Sequence, residues 1–376
     1  MNHLRISEQI NLIFNKWMEG EERGFLFYLL VPFLYITSIL YGIGVRLRLF
    51  LYRIGIFKIK RLNCKVISVG NMTLGGSGKT PVAIFLAEKF KENGKRVVIV
   101  SRGYQGRVKN TGIVSDGDNI LLTPEDAGDE PYLMALKLKG VPVIVGRDRY
   151  KAGMHAIKKF KPDMIILDDG FQHIGLHREI NILVVDSRRG FGNGYLFPLG
   201  MLREPLNGLK RASMILVKES GVRSLPPQAS SGGQKSEKKI NVALIEQAKD
   251  CPTISFSYKA GAIVNPANGS RMPADVLKGK KVAALSGIAD PKSFRNTLER
   301  LGAKVAKEIV YPDHHHYTPD DLDDIVERIK GADMVITTEK DAVKLKRLSI
   351  ESLPIYALEI DLGIEDITML KRIAGV

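Results

Sequence analysis

The stretch GNMTLGGSGKTP, Gly70 to Pro81, follows the apolar run CKVISVG and precedes a helical pattern from about Gly78 to Lys91. A strand, a glycine-rich turn, Lys-Thr and a helix form the context in which a chain cradles phosphate. Glycines let backbone N–H groups turn inward and approach phosphate oxygens closely. The helix start aims the positive end of its dipole at the same point. Lys79 can reach the β- and γ-phosphates of ATP, and Thr80 can offer its hydroxyl to Mg²⁺. The nucleotide cradle is therefore expected over Thr73, Leu74, Gly75, Gly76, Ser77, Gly78, Lys79 and Thr80, with Thr73 standing where the strict pattern has glycine.

Around this loop, short apolar runs alternate with helical patterns. RVVIV, VPVIVG, DMIILDD, INILVVD and ASMILVK read as strands; DEPYLMALKLKG, closed by Gly140, and DRYKAGMHAIKKF read as helices. Uniformly apolar strands between helices predict a parallel sheet covered on both faces. Residues 219–239 are rich in Pro, Gly, Ser and charge and read as a linker or insertion. A second series follows: KVAALSG, a helix from about Pro291, EIVYPD, a helix across PDDLDDIVERIKG, DMVITT, a helix across KDAVKLKRL, LPIYALEI and a final helix. The 376 residues suit two domains of about 150 residues each. The expected fold is α/β: a P-loop NTPase-like, mostly parallel sheet domain over 62–218 and a second, smaller α/β domain over 240–376.

Residues 1–61 differ in texture. The stretch 24–45 carries no formal charge, and at about 1.5 Å per residue it matches a bilayer core of about 30 Å. Pro32, Thr37 and Ser38 interrupt a plain spanning helix. Arg46, Arg48, Arg53, Lys58, Lys60 and Arg61 follow with no acid among them, a flank suited to an anionic, cytoplasmic leaflet. Three readings stand: an interfacial helix, a true span and a buried core helix. The formal net charge of +15 calls for an acidic partner, whether nucleic acid, nucleotide or membrane. No nucleic-acid-reading module accompanies that charge. Cys64 and Cys251 have no metal or disulfide spacing, which points to a reducing compartment.

Candidate chemistry gathers at strand ends. Asp168 and Asp169 close MIIL, where a Walker-B-type Mg²⁺ ligand belongs. Asp129 and Glu130 in DAGDEP open a helix, as caps or as functional acids. YPDHHHYT holds His314 to His316; adjacency points their side chains to different faces, so one proton acceptor is a better reading than a three-ligand metal site, beside a plain solvated turn. Arg102, Tyr104, Arg147, Arg149 and Arg203 lie in loops or at strand ends where phosphate recognition is suited. TTEKDA places Glu339 where a GTPase base-recognition motif has lysine, and Leu74 stands where ParA- and MinD-type ATPases carry their signature lysine.

GNMTLGGSGKTP, SRGY, GDEP, LDDGFQH, LREPL, SGIADPKSF, PDHH and TTEKDAVKL occur in this order from Gly70 to Leu345. Together they resemble the tetraacyldisaccharide 4'-kinase (lipid A 4'-kinase) family over nearly the whole chain. The resemblance implies transfer of the ATP γ-phosphoryl to the 4'-hydroxyl of a tetraacylated glucosamine disaccharide 1-phosphate. It implies work at the cytoplasmic face of the inner membrane of a Gram-negative bacterium, with no nucleic acid and no required protein partner. By the same resemblance Asp129 and His314 form the catalytic pair with Lys79, Tyr104, Arg149 and Arg203 contact substrate, and Thr80, Asp168, Asp169 and Glu130 handle Mg²⁺. Gln172 and Glu204 are weaker candidates. The rival is a membrane-associated P-loop ATPase that switches a protein partner.

Overall fold

The computed structural model describes residues 25–222 and 251–364, with Trp17, Thr368 and Gly375. Helix α1 (Phe25–Arg53) comes first, then strand β1 (Lys65–Gly70) and helix α2 (Lys79–Glu92). Next come β2 (Val97–Ser101), β3 (Thr111–Ser115), α3 (Pro124–Ala127), α4 (Asp129–Lys137), β4 (Val143–Gly146) and α5 (Arg149–Phe160). Strands β5 (Met164–Asp168), β6 (Ile180–Asp186) and β7 (Met214–Val222) complete the first half. The second half holds β8 (Thr253–Val264), β9 (Arg271–Pro273), β10 (Lys281–Ser286), α6 (Pro291–Arg300), β11 (Lys304–Val310), α7 (Pro319–Arg328), β12 (Met334–Thr338), α8 (Glu339–Leu345) and β13 (Ile355–Ile364).

One sheet runs through both halves in the order β11-β10-β12-β13-β8-β7-β6-β1-β5-β2-β4-β3, with β9 paired to β8. β1 lies between β5 and β6, parallel to both. The chain moves from β1 to β2 on one side and from β5 to β6 across to the other. That reversal leaves a crevice at the carboxyl ends of β1 and β5, where open α/β sheets bind ligands.

Alternate residues of β1 serve opposite faces, as the pleat requires. Ile67 and Val69 pack with Val82, Leu86 and Phe90 of α2, while Val66 packs with Ala152 and Ala156 of α5. Burying each of the larger side chains contributes about 1.5–3 kcal/mol. These packed faces explain why the strands are apolar throughout, and they fix the P-loop at the sheet's centre.

The expected parallel core is present, but the sheet is not wholly parallel. β3 pairs β4, β13 pairs β8, and β8 pairs β9 in the antiparallel sense. β8 also pairs β7 in parallel, so this 12-residue strand joins the two halves. Its alternating TISFSYKAGAIV lacks the uniform apolarity that marks the parallel strands, which hid it from a reading tuned to apolar runs. The helix expected to reach Gly140 ends at Lys137, because Leu138 turns extended (φ −99°, ψ 91°) to enter the core. β7 runs through residues 219–222 of the expected linker; residues 223–239 and nearly all of the expected final helix lie outside the described residues.

Helix α1 is not a core helix. Only 11% of its most apolar window is buried. Leu29, Phe33, Ile36, Leu40, Ile43 and Leu47 all face outward. An apolar surface of that size on a helix long enough to cross a bilayer fits a membrane and leaves the interfacial and spanning readings standing.

Candidate active site

The loop after β1 is shaped by two left-handed glycines, Gly75 (φ 93°) and Gly78 (φ 89°). A side chain on Gly78 would run into the Tyr258 hydroxyl from β8, so the loop needs glycine here for space as well as conformation. The Thr73 side-chain oxygen lies 3.4 Å from Asn71 Nδ2, and Leu74 N donates to Met201 O at 2.8 Å. Lys79, the first residue of α2, places its Nζ 3.6 Å from Asp169 Oδ1.

Asp168 and Asp169 leave β5 directly opposite. Asp169 adopts φ 49°, and Arg203 Nη1 donates to both of its carboxylate oxygens at 3.0 Å. Burial would raise the Asp169 pKa, but Lys79 and Arg203 outweigh it and hold the group below the usual carboxylate range. Asp168 moves the other way. It is buried, and burial together with the charges of Glu130 and Asp169 raises its pKa, despite Lys79 and a 3.0 Å hydrogen bond from Ser101 Oγ. Two adjacent carboxylates thus differ because Arg203 and Lys79 outweigh burial at Asp169, whereas burial and neighbouring acids outweigh Lys79 at Asp168.

Asp129 opens α4, preceded by Gly128 at φ 90°. Across from it, His314 sits in the loop after β11 at φ 63°, and its Nδ1 lies 3.2 Å from Asp129 Oδ2. His314 Nε2 lies 3.1 Å from Lys340 Nζ. A lysine ammonium only donates, so a neutral ring accepts at Nε2 and donates from Nδ1 to Asp129. Lys344 Nζ approaches the same Asp129 Oδ2 at 3.7 Å. Burial alone would raise the Asp129 pKa; the His314 hydrogen bond and the Lys344 and Lys340 charges lower it further than burial raises it. His315 is occupied elsewhere, 2.9 Å from Asp321 Oδ2 and stacked on Tyr311, so one histidine of the run reaches the site.

These groups border one cleft of about 1570 Å³. Its walls include the loop from Leu74 to Thr80, Tyr104, Glu130, Arg149, Asp168, Asp169, Arg203 and His314. Arg102, Arg147, Gln172 and Glu204 line it as well. Asp129 is buried and in contact with His314 at the edge of the cleft. Tyr41, Val45, Arg48 and Leu49 of α1 also line the cleft, so the apolar helix borders it.

Arg149 is placed differently from a simple substrate contact. It is buried, donating from Nη1 to Gly146 O at 2.8 Å and from Nη2 to Asp168 O at 3.3 Å. Burial brings its pKa down to about 10. It braces the carboxyl ends of β4 and β5 while bordering the cleft. Glu204 is likewise committed, accepting from Gln172 Nε2 at 2.9 Å and Arg211 Nη2 at 2.5 Å. Tyr104 is half exposed, its ring edge-on to His314 with centroids 5.5 Å apart.

The sequence reading missed Lys340, Lys344 and Tyr258. The lysines were legible: four residues apart, they share one face of α8 beside PDHH. Nothing local in the sequence places Tyr258 against the P-loop, since that contact exists only because β8 crosses between the halves.

The model for the family described as tetraacyldisaccharide-1-P 4'-kinase matches residues 30–375. The chain is 43% identical over 341 residues to a tetraacyldisaccharide 4'-kinase of Desulfatibacillum aliphaticivorans, covering 88% of each. It is 40% identical over 333 residues to one of Syntrophus aciditrophicus, again covering 88% of each. Among solved structures, the "apo" form of LpxK from Aquifex aeolicus in complex with ATP superposes with a TM-score of 0.70 at 36% identity, covering 93% of this chain and 98% of that one. Matched in sequence along almost its entire length and in fold by a solved relative, the chain belongs to the tetraacyldisaccharide-1-phosphate 4'-kinase family.

Proposed function

We propose that the protein transfers the γ-phosphoryl group of ATP to the 4'-hydroxyl of a tetraacylated glucosamine disaccharide 1-phosphate at the cytoplasmic face of the inner membrane. One observation carries this reading: a single cleft is lined by the P-loop, by His314, which contacts Asp129, and by Tyr41, Val45 and Leu49 of the exposed apolar helix. A lipid acceptor can keep its acyl chains at that helix while its sugar hydroxyl enters the cleft. The basic flank from Arg46 to Arg61 favours an anionic leaflet.

A sugar hydroxyl is a weak nucleophile at neutral pH, so a positioned base is worth about 10²–10⁴-fold. Asp129 is the base in this reading. Both ring nitrogens of His314 are engaged, whereas Asp129 Oδ1 carries none of those bonds. His314 holds the carboxylate in place and, with Lys344 and Lys340, keeps it ionised. Lys79 and the inward N–H groups of the P-loop neutralise the charge on the transferred group. Tyr104, Arg149 and Arg203 frame the acceptor's approach, Arg149 through the strand ends it braces.

The residues present fit Mg²⁺. Asp168 Oδ1 is buried without a hydrogen-bond partner, and the carboxyl lies beside two further acids. A divalent cation would relieve both. Among the described residues no three acid, histidine or cysteine side chains form a closed metal cage, which suits an ion that keeps several of its waters. Thr80, Asp168, Asp169 and Glu130 would hold it, directly or through water, and it would supply charge neutralisation at the phosphates.

In this reading the unit over 62–218 holds the phosphate donor, and the unit over 240–376 brings His314 and its lysines to the acceptor side. Labelled ATP and the disaccharide 1-phosphate lipid, incubated with the purified full-length protein, should give a labelled lipid. ATP turnover stimulated by a protein, with no labelled lipid formed, would overturn this reading in favour of a partner-switching ATPase.

A further inference from the structure

Helix α1 meets the rest of the protein along a narrow face, and that face lands on the loops of the cleft. Ser38, buried on a helix that is largely exposed, donates from Oγ to Leu196 O at 2.9 Å. Gly42 leaves room for Leu196: a β-carbon there would stand 2.7 Å from Leu196 Cδ1. Arg48 Nη2 donates to Gln172 O at 3.2 Å. Between them, Tyr41 Oη donates to Arg203 O at 2.7 Å, and the Tyr41 ring meets Phe197 edge-on, centroids 6.0 Å apart.

Arg203 is thereby held at three points. Its N–H donates to Met72 O at 2.8 Å, on the segment leading into the P-loop. Its carbonyl accepts from Tyr41 of α1. Its guanidinium rests on both oxygens of Asp169 at 3.0 Å, and Asp169 in turn lies 3.6 Å from Lys79 Nζ. One residue joins the apolar helix, the phosphate loop and the carboxylate beside the P-loop lysine.

We propose that Tyr41 is a positioning residue: through its hydrogen bond to the Arg203 carbonyl, the seated helix α1 sets the Arg203 guanidinium on Asp169. The helix then does more than hold the enzyme at a bilayer. Its docked face is a working part of the active site, while its exposed face meets lipid. This follows from a division along the helix, with Ser38, Tyr41, Gly42 and Arg48 facing protein and Phe33, Ile36, Leu40 and Leu47 facing outward.

The inference rests on the lipid-kinase reading, and the test separates the two. In the full-length protein, Tyr41→Phe keeps the ring against Phe197 and deletes only the donor. One neutral hydrogen bond corresponds to about a 3- to 10-fold loss in kcat for the lipid acceptor. Partition onto vesicles of mixed zwitterionic and anionic phospholipid, and the KM for ATP, should stay unchanged. A double-mutant cycle gives the readout that a merely structural role would not move: in an Arg203→Ala background, Tyr41→Phe should have no further effect on kcat. Additive losses in the cycle, or wild-type kcat in Tyr41→Phe, would each overturn the proposal. A wild-type protein that forms no labelled lipid would instead refute the underlying lipid-kinase reading.

Discussion

His314 Nδ1 and Asp129 Oδ2 stand 3.2 Å apart, although 185 positions separate the two residues in the chain. The contact joins a helix start in the first half to a strand-following loop in the second. It is one of the contacts by which the two halves meet at the proposed acceptor side of the cleft, beside Lys344 on the same oxygen. Because Asp129 and His314 are in contact, replacing either residue should perturb both the proposed base and its orientation.

That coupling has a pH signature. With its pKa held below the usual carboxylate value of about 3.9, Asp129 is ionised throughout the neutral range. The acid limb of kcat/KM due to this group should therefore lie below about pH 4. His314→Ala removes the largest contribution opposing burial, so the limb should move to higher pH. Asp129→Asn should cost about 10²–10⁴-fold in kcat. The sign for stability is the same: a depressed folded pKa contributes stability above the unfolded value, which is lost as pH falls through the folded one. A pH–rate profile of His314→Ala with an unmoved acid limb would count against Asp129 as the base.

Asp168→Asn keeps the shape and removes the charge. Its buried Oδ1 has no hydrogen-bond partner, and the residue sits beside Asp169 and Glu130. The Mg²⁺ concentration for half-maximal nucleotide binding should rise at least by the roughly 10–100-fold that even an outer-shell partner is worth. Calorimetric titration of ATP at stepped Mg²⁺ concentrations measures this. An unchanged requirement would remove Asp168 from the metal set.

Gly78→Ala should lower both the unfolding midpoint and ATP affinity. The left-handed conformation costs an alanine about 1–2 kcal/mol, and its β-carbon meets the Tyr258 hydroxyl. Adding Tyr258→Phe removes the nearest obstructing atom but not the backbone strain. The double variant should recover part of the loss in a thermal melt with ATP present; no recovery would show that strain alone sets the requirement for glycine.

The outward face of α1 should govern vesicle binding. Phe33 is 66% exposed and Leu40 is 63% exposed. Each such side chain is worth about 1.5–3 kcal/mol when taken from water into an apolar phase. Phe33→Glu with Leu40→Glu should lower the bound fraction in a vesicle flotation assay by well over tenfold, with the unfolding midpoint unaltered because neither side chain packs in the core. Full retention on vesicles would reject the apolar face as the membrane contact.

The chain alone determined the features that depend on short-range pattern. Apolar runs of β-strand length, the glycines before Lys79 and Thr80, and acids closing the run MIIL define a P-loop sheet whatever else follows. The uncharged stretch before the basic flank likewise marks a membrane-length helix. The long-range pairings were set by tertiary structure. β8 is amphipathic and pairs with neighbours in both senses, so no local period announces that it fuses two halves into one sheet. Asp168 and Asp169 are adjacent in sequence and identical in kind. Only folding pairs one closely with Arg203 and Lys79 while burying the other beside Glu130, and the two pKa values move in opposite directions as a result. Arg149 reads as a surface charge ready for phosphate, yet the fold buries it against backbone carbonyls. Charge and periodicity are properties of residues and their near neighbours. Desolvation and partner choice belong to the packed structure, and those decide which of several equivalent acids and arginines meets the cleft.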